Sequence, residues 1–169
     1  QEWGVDETMG QLLEQDKIRE AIVVGIWNTE FRHSEYFPQK PFESLPEAFQ
    51  DSLLSDYKRN ETSSLFKMEV VSDKYLAFIV KELKPFIDEK YATYSDRENT
   101  FIAGSSMGGL ISLYALCEYP EVFAGAGCLS THWIGIFDTL NNPIPKLFSQ
   151  YVENNLPSPE SHRLYFDFG

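Results

Sequence analysis

The feature that most restricts this chain is Gly104-Ser105-Ser106-Met107-Gly108-Gly109, a serine framed by glycines between two apolar segments. Residues 99–103 are short and apolar and predict a strand. Residues 110–118 carry apolar side chains at helical spacing and close at Pro120. A chain that passes from strand to helix in so few residues must reverse sharply. That reversal strains the backbone of Ser106 and lifts its hydroxyl above the sheet, the geometry of a nucleophile elbow. Side chains at positions 104 and 108 would then press on neighbouring backbone, so glycine suits both. The helix after the turn aims unpaired N–H groups at the serine. The Met107 N–H is thereby expected to stabilise an oxyanion, a donor worth about 3 kcal/mol.

The surrounding pattern predicts an α/β fold. Residues 5–18 space Val5, Met9, Leu12, Leu13 and Ile18 like one face of a helix. Residues 21–26 form a compact β-branched run that reads as a strand buried on both faces of a parallel sheet. Residues 29–64 show no repeat, are punctuated by Pro38, Pro41 and Pro46, and read as one long irregular segment, functional or mobile. Residues 72–90 carry the clearest helical stripe, Tyr75, Leu76, Ile79, Val80, Leu83 and Ile87, with Ser72 as N-cap and an interruption near Pro85. Two more strands are expected over 122–129 and 164–168. Strands alternating with helices imply a mostly parallel sheet flanked by helices, in one domain spanning residues 1–169.

Residues 101–110, Tyr119-Pro120-Glu121-Val122-Phe123 and the segment from Ser130 to Trp133 resemble the Putative esterase family. That family includes enterochelin and salmochelin esterases, feruloyl and acetyl xylan esterases, S-formylglutathione hydrolase and mycolyltransferases. Trp3-Gly4-Val5-Asp6 and the Asn28, Arg32, Glu35, Tyr36, Pro38 pattern are similar to upstream parts of it. The resemblance implies the α/β-hydrolase fold and ester cleavage through an acyl-enzyme on Ser106. In relatives a second oxyanion donor precedes the Trp3-like segment, and the acid and histidine follow the strand resembling residues 164–168. The fold is therefore expected to be incomplete at both ends here, with the histidine and acid beyond Gly169. The same elbow would serve an acyltransferase, and the lack of a recognisable base fits a binding domain that keeps the fold without activity.

Among further candidates, His132 and Trp133 follow a predicted parallel strand, where loops face a ligand crevice. Both are candidate substrate contacts, with core packing an equal reading for Trp133. Arg32 could orient an acidic or catecholic substrate, or anchor its loop by pairing with Glu35. His33 and His162 read as loop or surface histidines, and Asp138 and Asp167 carry no motif support. The two cysteines, Cys117 and Cys128, lie in apolar stretches and read as buried thiols.

Composition excludes several partners. A formal net charge of −12 opposes binding to a phosphate backbone or an anionic membrane surface. No apolar run approaches the ~20 residues of a membrane span. Metal ligands do not cluster, Lys is missing after Gly109 for a phosphate loop, and no cofactor is called for. The expected partner is a small-molecule ester, with a homo-oligomer left open. Aromatic residues at 15% serve either a dense core or an aromatic binding surface. The chain begins with Gln1 rather than Met, and the compartment is not indicated.

Overall fold

A computed structural model describes residues 3–55, 58–60 and 63–168. Its centre is a parallel sheet of β3 (Phe101–Ser105), β4 (Gly125–Leu129) and β5 (Arg163–Phe166), in that order. Phe101 lies opposite Gly125 and Ser105 opposite Leu129, while Gly125 in turn lies opposite Arg163. Parallel neighbours need a crossover, and helices supply both. Helix α7 (Met107–Glu118) joins β3 to β4, and α8 (Ile144–Asn155) lies between β4 and β5.

Helix α7 is apolar on nearly every face, and Met107, Leu110, Ile111, Leu113, Leu116 and Cys117 are all buried. A helix of that kind must sit between layers. It packs on β3 and β4 and against α8 and α2 (Arg32–Tyr36). Burial of each large side chain there contributes about 1.5–3 kcal/mol. The many aromatics serve this core: Phe37 stands 5.4 Å from Phe66, 5.3 Å from Phe148 and 5.9 Å from Phe42 between ring centroids.

Helix α1 (Val5–Glu14) forms within the expected segment but ends before Ile18, and none of its residues is buried. The stretch 29–64 is not irregular. It holds α2, α3 (Gln39–Glu43), α4 (Glu47–Ser55) and a small antiparallel pair, β1 (Lys58–Asn60) with β2 (Ser63–Ser64); residues 56, 57, 61 and 62 lie outside the described set. Tertiary anchors hold these short helices. Buried Ser34 donates to the Met68 carbonyl at 2.8 Å, and the Lys40 ammonium pairs with Glu118 at the end of α7.

The helical stripe of residues 72–90 is present with its interruption. Helix α5 (Ser72–Phe78) continues through one widened π turn, Ile79–Leu83, into α6 (Lys84–Lys90), where Pro85 occupies the first turn. Pro85 has no N–H to return to the preceding turn, and the wider turn accommodates that loss. Ser72 is not the N-cap. Val71 holds that position, and the buried Ser72 hydroxyl accepts the Gln39 N–H at 2.9 Å.

Residues 21–26 also depart from expectation. They join no sheet, and Ile22, Val23, Val24 and Ile26 are exposed. A strand buried on both faces requires neighbours to complete its hydrogen bonds, and no described strand pairs with this run. Among the described residues, no helix is long and apolar enough to cross a membrane.

Candidate active site

Strand β3 ends at Ser105, α7 starts at Met107, and Ser106 makes the whole reversal alone. Its backbone lies at φ 58° and ψ −118°, in a sparsely populated region that costs about 1–3 kcal/mol for a residue with a side chain. The surroundings over-determine that conformation. The Ser106 N–H donates to the Leu129 carbonyl at 2.9 Å, and its carbonyl accepts the His132 N–H at 3.2 Å and the Gly109 N–H at 3.0 Å. Two of these bonds clamp the turn to the end of β4.

The glycines divide their work differently from expectation. A Cβ on Gly104 would stand 2.6 Å from the Gly108 carbonyl carbon and oxygen, so the strand can approach the helix only without a side chain there. A Cβ on Gly108 would meet nothing within 4 Å. The steric demand falls on one partner of the close approach. Gly109, which the five-residue pattern leaves out, carries the second demand: its Cβ would lie 2.6 Å from Thr131 Oγ1 and 3.3 Å from the Leu129 carbonyl oxygen. The third glycine lets the loop after β4 lie against the first turn of α7.

Ser106 occupies the N-cap position of α7, yet its side chain makes no capping hydrogen bond. A serine there ordinarily spends its oxygen on an N–H of the first turn. Here Ser106 Oγ bonds to no described residue, and the hydroxyl is left for another partner. The N–H groups of Met107 and Gly108 likewise donate to no described acceptor, while the Met107 side chain is buried. An uncapped hydroxyl and two helix-terminal donors therefore share one turn.

The remaining candidates separate into two groups. His132 lies beside the elbow, with its ring half-buried and 5.7 Å from Phe137. Burial lowers its pKa below the usual imidazole range, and the Arg32 charge lowers it further. Arg32 opens α2 with its guanidinium 5.9 Å from the centre of the Tyr36 ring. The expected Arg32–Glu35 ion pair is not formed, and Glu35 accepts the Thr29 hydroxyl at 2.8 Å. Trp133 packs on the core with its ring 5.7 Å from Phe166. It also borders a recess with Leu110, Leu113 and Phe148, whose space of about 10 Å³ takes no more than one water.

His162 stands at the far end of the sheet, before β5, where its Nε2 lies 2.8 Å from the Pro120 carbonyl oxygen. His33 packs edge-on to Phe66 and beside Phe137. Asp138 accepts the Leu140 N–H within its own turn. Asp167 accepts the N–H of Ser130, itself at φ 41°, at 2.7 Å and so holds the loop that carries Thr131 and His132. Its place on a strand pattern gave no sign of that role. Both cysteines are buried free thiols, pushed up to about 12 chiefly by burial. Among the described residues, no three His, Cys, Asp or Glu side chains converge as metal ligands.

Comparison with known proteins places this geometry in context. The family profile described as "Putative esterase" matches residues 1–155. An uncharacterized protein of Bacillus subtilis, YbbA, is 28% identical over 128 residues, covering 75% of this chain and 44% of its own. Carboxylesterase SOBER1 of Arabidopsis thaliana is 31% identical over 67 residues, 40% of this chain and 29% of its own. A second Bacillus subtilis protein, YjcH, is 39% identical over 49 residues, 29% of this chain and 20% of its own. The chain thus spans less than half the length of the curated relatives it matches. No solved structure matches it significantly.

Proposed function

The chain belongs to the Putative esterase family, and from that premise we propose that the whole protein hydrolyses small carboxylic esters through an acyl-enzyme on Ser106. The observation that carries the reading is the Ser106 backbone at positive φ, with an uncapped hydroxyl at a strand-to-helix turn. A merely structural serine gains nothing from that strain. The partial likeness to a protein named a carboxylesterase agrees with it.

In this scheme Ser106 Oγ attacks the ester carbonyl carbon while its proton passes to a histidine base. The Met107 N–H receives the negative charge on the former carbonyl oxygen. Collapse of the tetrahedral species breaks the bond to the alcohol, which leaves with the proton returned by the histidine. Water then repeats the sequence on the acyl group, releasing the acid and restoring Ser106. His132, Trp133 and Arg32 contact the substrate rather than the reacting bond. Ser106 Oγ has no imidazole partner among the described residues, and none of them is assigned as the base or its acid.

The test is made on the full-length protein. A fluorophosphonate should label Ser106 stoichiometrically, and Ser106→Ala should lose the label together with about 10³-fold or more of p-nitrophenyl acetate hydrolysis. An alanine variant with unchanged turnover ends the proposal. An unlabelled parent favours a binding domain, and acyl transfer to an added alcohol in preference to water would make the protein a transferase.

A further inference from the structure

Among the described residues, three polar side chains, Arg32, Thr131 and His132, carry groups without an ion-pair or hydrogen-bond partner, although the Arg32 guanidinium also faces the Tyr36 ring. Arg32 is half-buried in a chain of net charge −12, yet its guanidinium forms no ion pair with any described carboxylate. Glu35, one turn on, is engaged by Thr29. Thr131 Oγ1 and His132 Nε2 are shielded from solvent and have no hydrogen-bond partner among the described residues. Native structures leave few such atoms, and each one calls for an explanation.

Their location supplies one. Thr131 Oγ1 lies against Gly109 in the first turn of α7, and the His132 N–H is bonded to the Ser106 carbonyl. Burial and, after it, the Arg32 charge lower the His132 pKa, and an imidazole ring nitrogen that carries a proton can donate one N–H to a carboxylate. Phe137, an exposed side chain, stands with its ring 5.7 Å from His132 and 6.3 Å from His33. An exposed ring rotates fast, so Phe137 can move aside without rearranging the fold.

We infer that Arg32, Thr131 and His132 form a subsite for a carboxylate carried by the ester substrate, with Arg32 supplying charge and the other two supplying hydrogen bonds. A guanidinium pairs with a planar carboxylate through two parallel N–H bonds, which suits an unpaired arginine better than any neutral group does. The assignment deepens the esterase reading and, as a statement about substrate, rests on it.

Two measurements on the full-length protein test it. The first compares kcat/KM for p-nitrophenyl hemiglutarate against p-nitrophenyl valerate, and for 4-acetoxybenzoate against its methyl ester. One charged member should exceed its neutral counterpart at least tenfold. That ratio should fall at least tenfold in Arg32→Gln and recover partly in Arg32→Lys. Ratios near one in both pairs, or a preference that Arg32→Gln leaves intact, overturn the subsite. The second measurement needs no catalysis: calorimetric titration with glutarate should show binding that weakens at least tenfold in Arg32→Gln and severalfold in Thr131→Val or His132→Gln. Glutarate binding dependent on Arg32 in a protein that cleaves no ester leaves the subsite standing and defeats the esterase reading. Ester cleavage without charge preference, together with no glutarate binding, does the reverse.

Discussion

Adding one methyl group at position 104 and one at position 108 should move stability in opposite directions, although the two glycines look equivalent in the sequence. A Cβ at 104 would stand 2.6 Å from the Gly108 carbonyl carbon and oxygen and 2.8 Å from its Cα, far inside the optimum of roughly 3.5–4.0 Å between carbons. Both sides of the clash are backbone, so no side chain can swing away. Gly104→Ala therefore falls at the upper end of overpacking costs, about 3 kcal/mol. The helix must retreat from the strand, and Ser106 moves with it. At position 108 a Cβ meets open space within α7, where alanine exceeds glycine in helix propensity by up to about 1 kcal/mol. Urea unfolding of the two variants against the parent measures both values, and in a domain of 150–250 residues each 1 kcal/mol is worth about 2–4 °C in Tm. If both substitutions lower stability alike, the one-sided close approach is refuted. A Gly104→Ala protein with parent stability refutes it equally.

Three further outcomes follow from the structure. Ser106→Gly should raise unfolding free energy by about 1 kcal/mol while abolishing fluorophosphonate labelling, because glycine accepts φ 58° without the strain that serine carries; a variant less stable than the parent would deny that strain. Cys117 and Cys128, with thiols pushed up to about 12 by burial against an unperturbed value of 9.0, should resist a disulfide reagent at neutral pH until the protein unfolds. Between about pH 9 and pH 12 the unfolded chain loses thiol protons that the folded state keeps, so stability should decline with rising pH there and decline less in a Cys117→Ala, Cys128→Ala double variant.

The stretch from β3 to β4 is legible in the sequence because its determinants are local. An apolar run, a glycine-framed serine and apolar side chains at helical spacing lie within about thirty residues, and each reads without reference to the rest of the chain. The interruption near Pro85 is legible for the same reason, since a missing N–H belongs to the residue itself. Helices α2 and α3, at five residues each, are too short to show a period. They stand because Ser34, Gln39 and Lys40 find partners at Met68, Ser72 and Glu118, far along the chain.

Residues 21–26 show the converse. Their composition is that of a buried strand, yet strand identity rests on hydrogen bonds to a neighbour, and composition carries no record of whether one is present. At the site, the order of residues determines that Ser106 turns from strand into helix and that Met107 opens that helix. Only the tertiary arrangement decides that Gly104 rather than Gly108 bears the contact, that Gly109 admits the Thr131 loop, and that Arg32 stands without Glu35. A turn is a property of consecutive dihedral angles, whereas a clash, an ion pair or an orphaned nitrogen depends on which distant atoms the fold brings within a few ångströms.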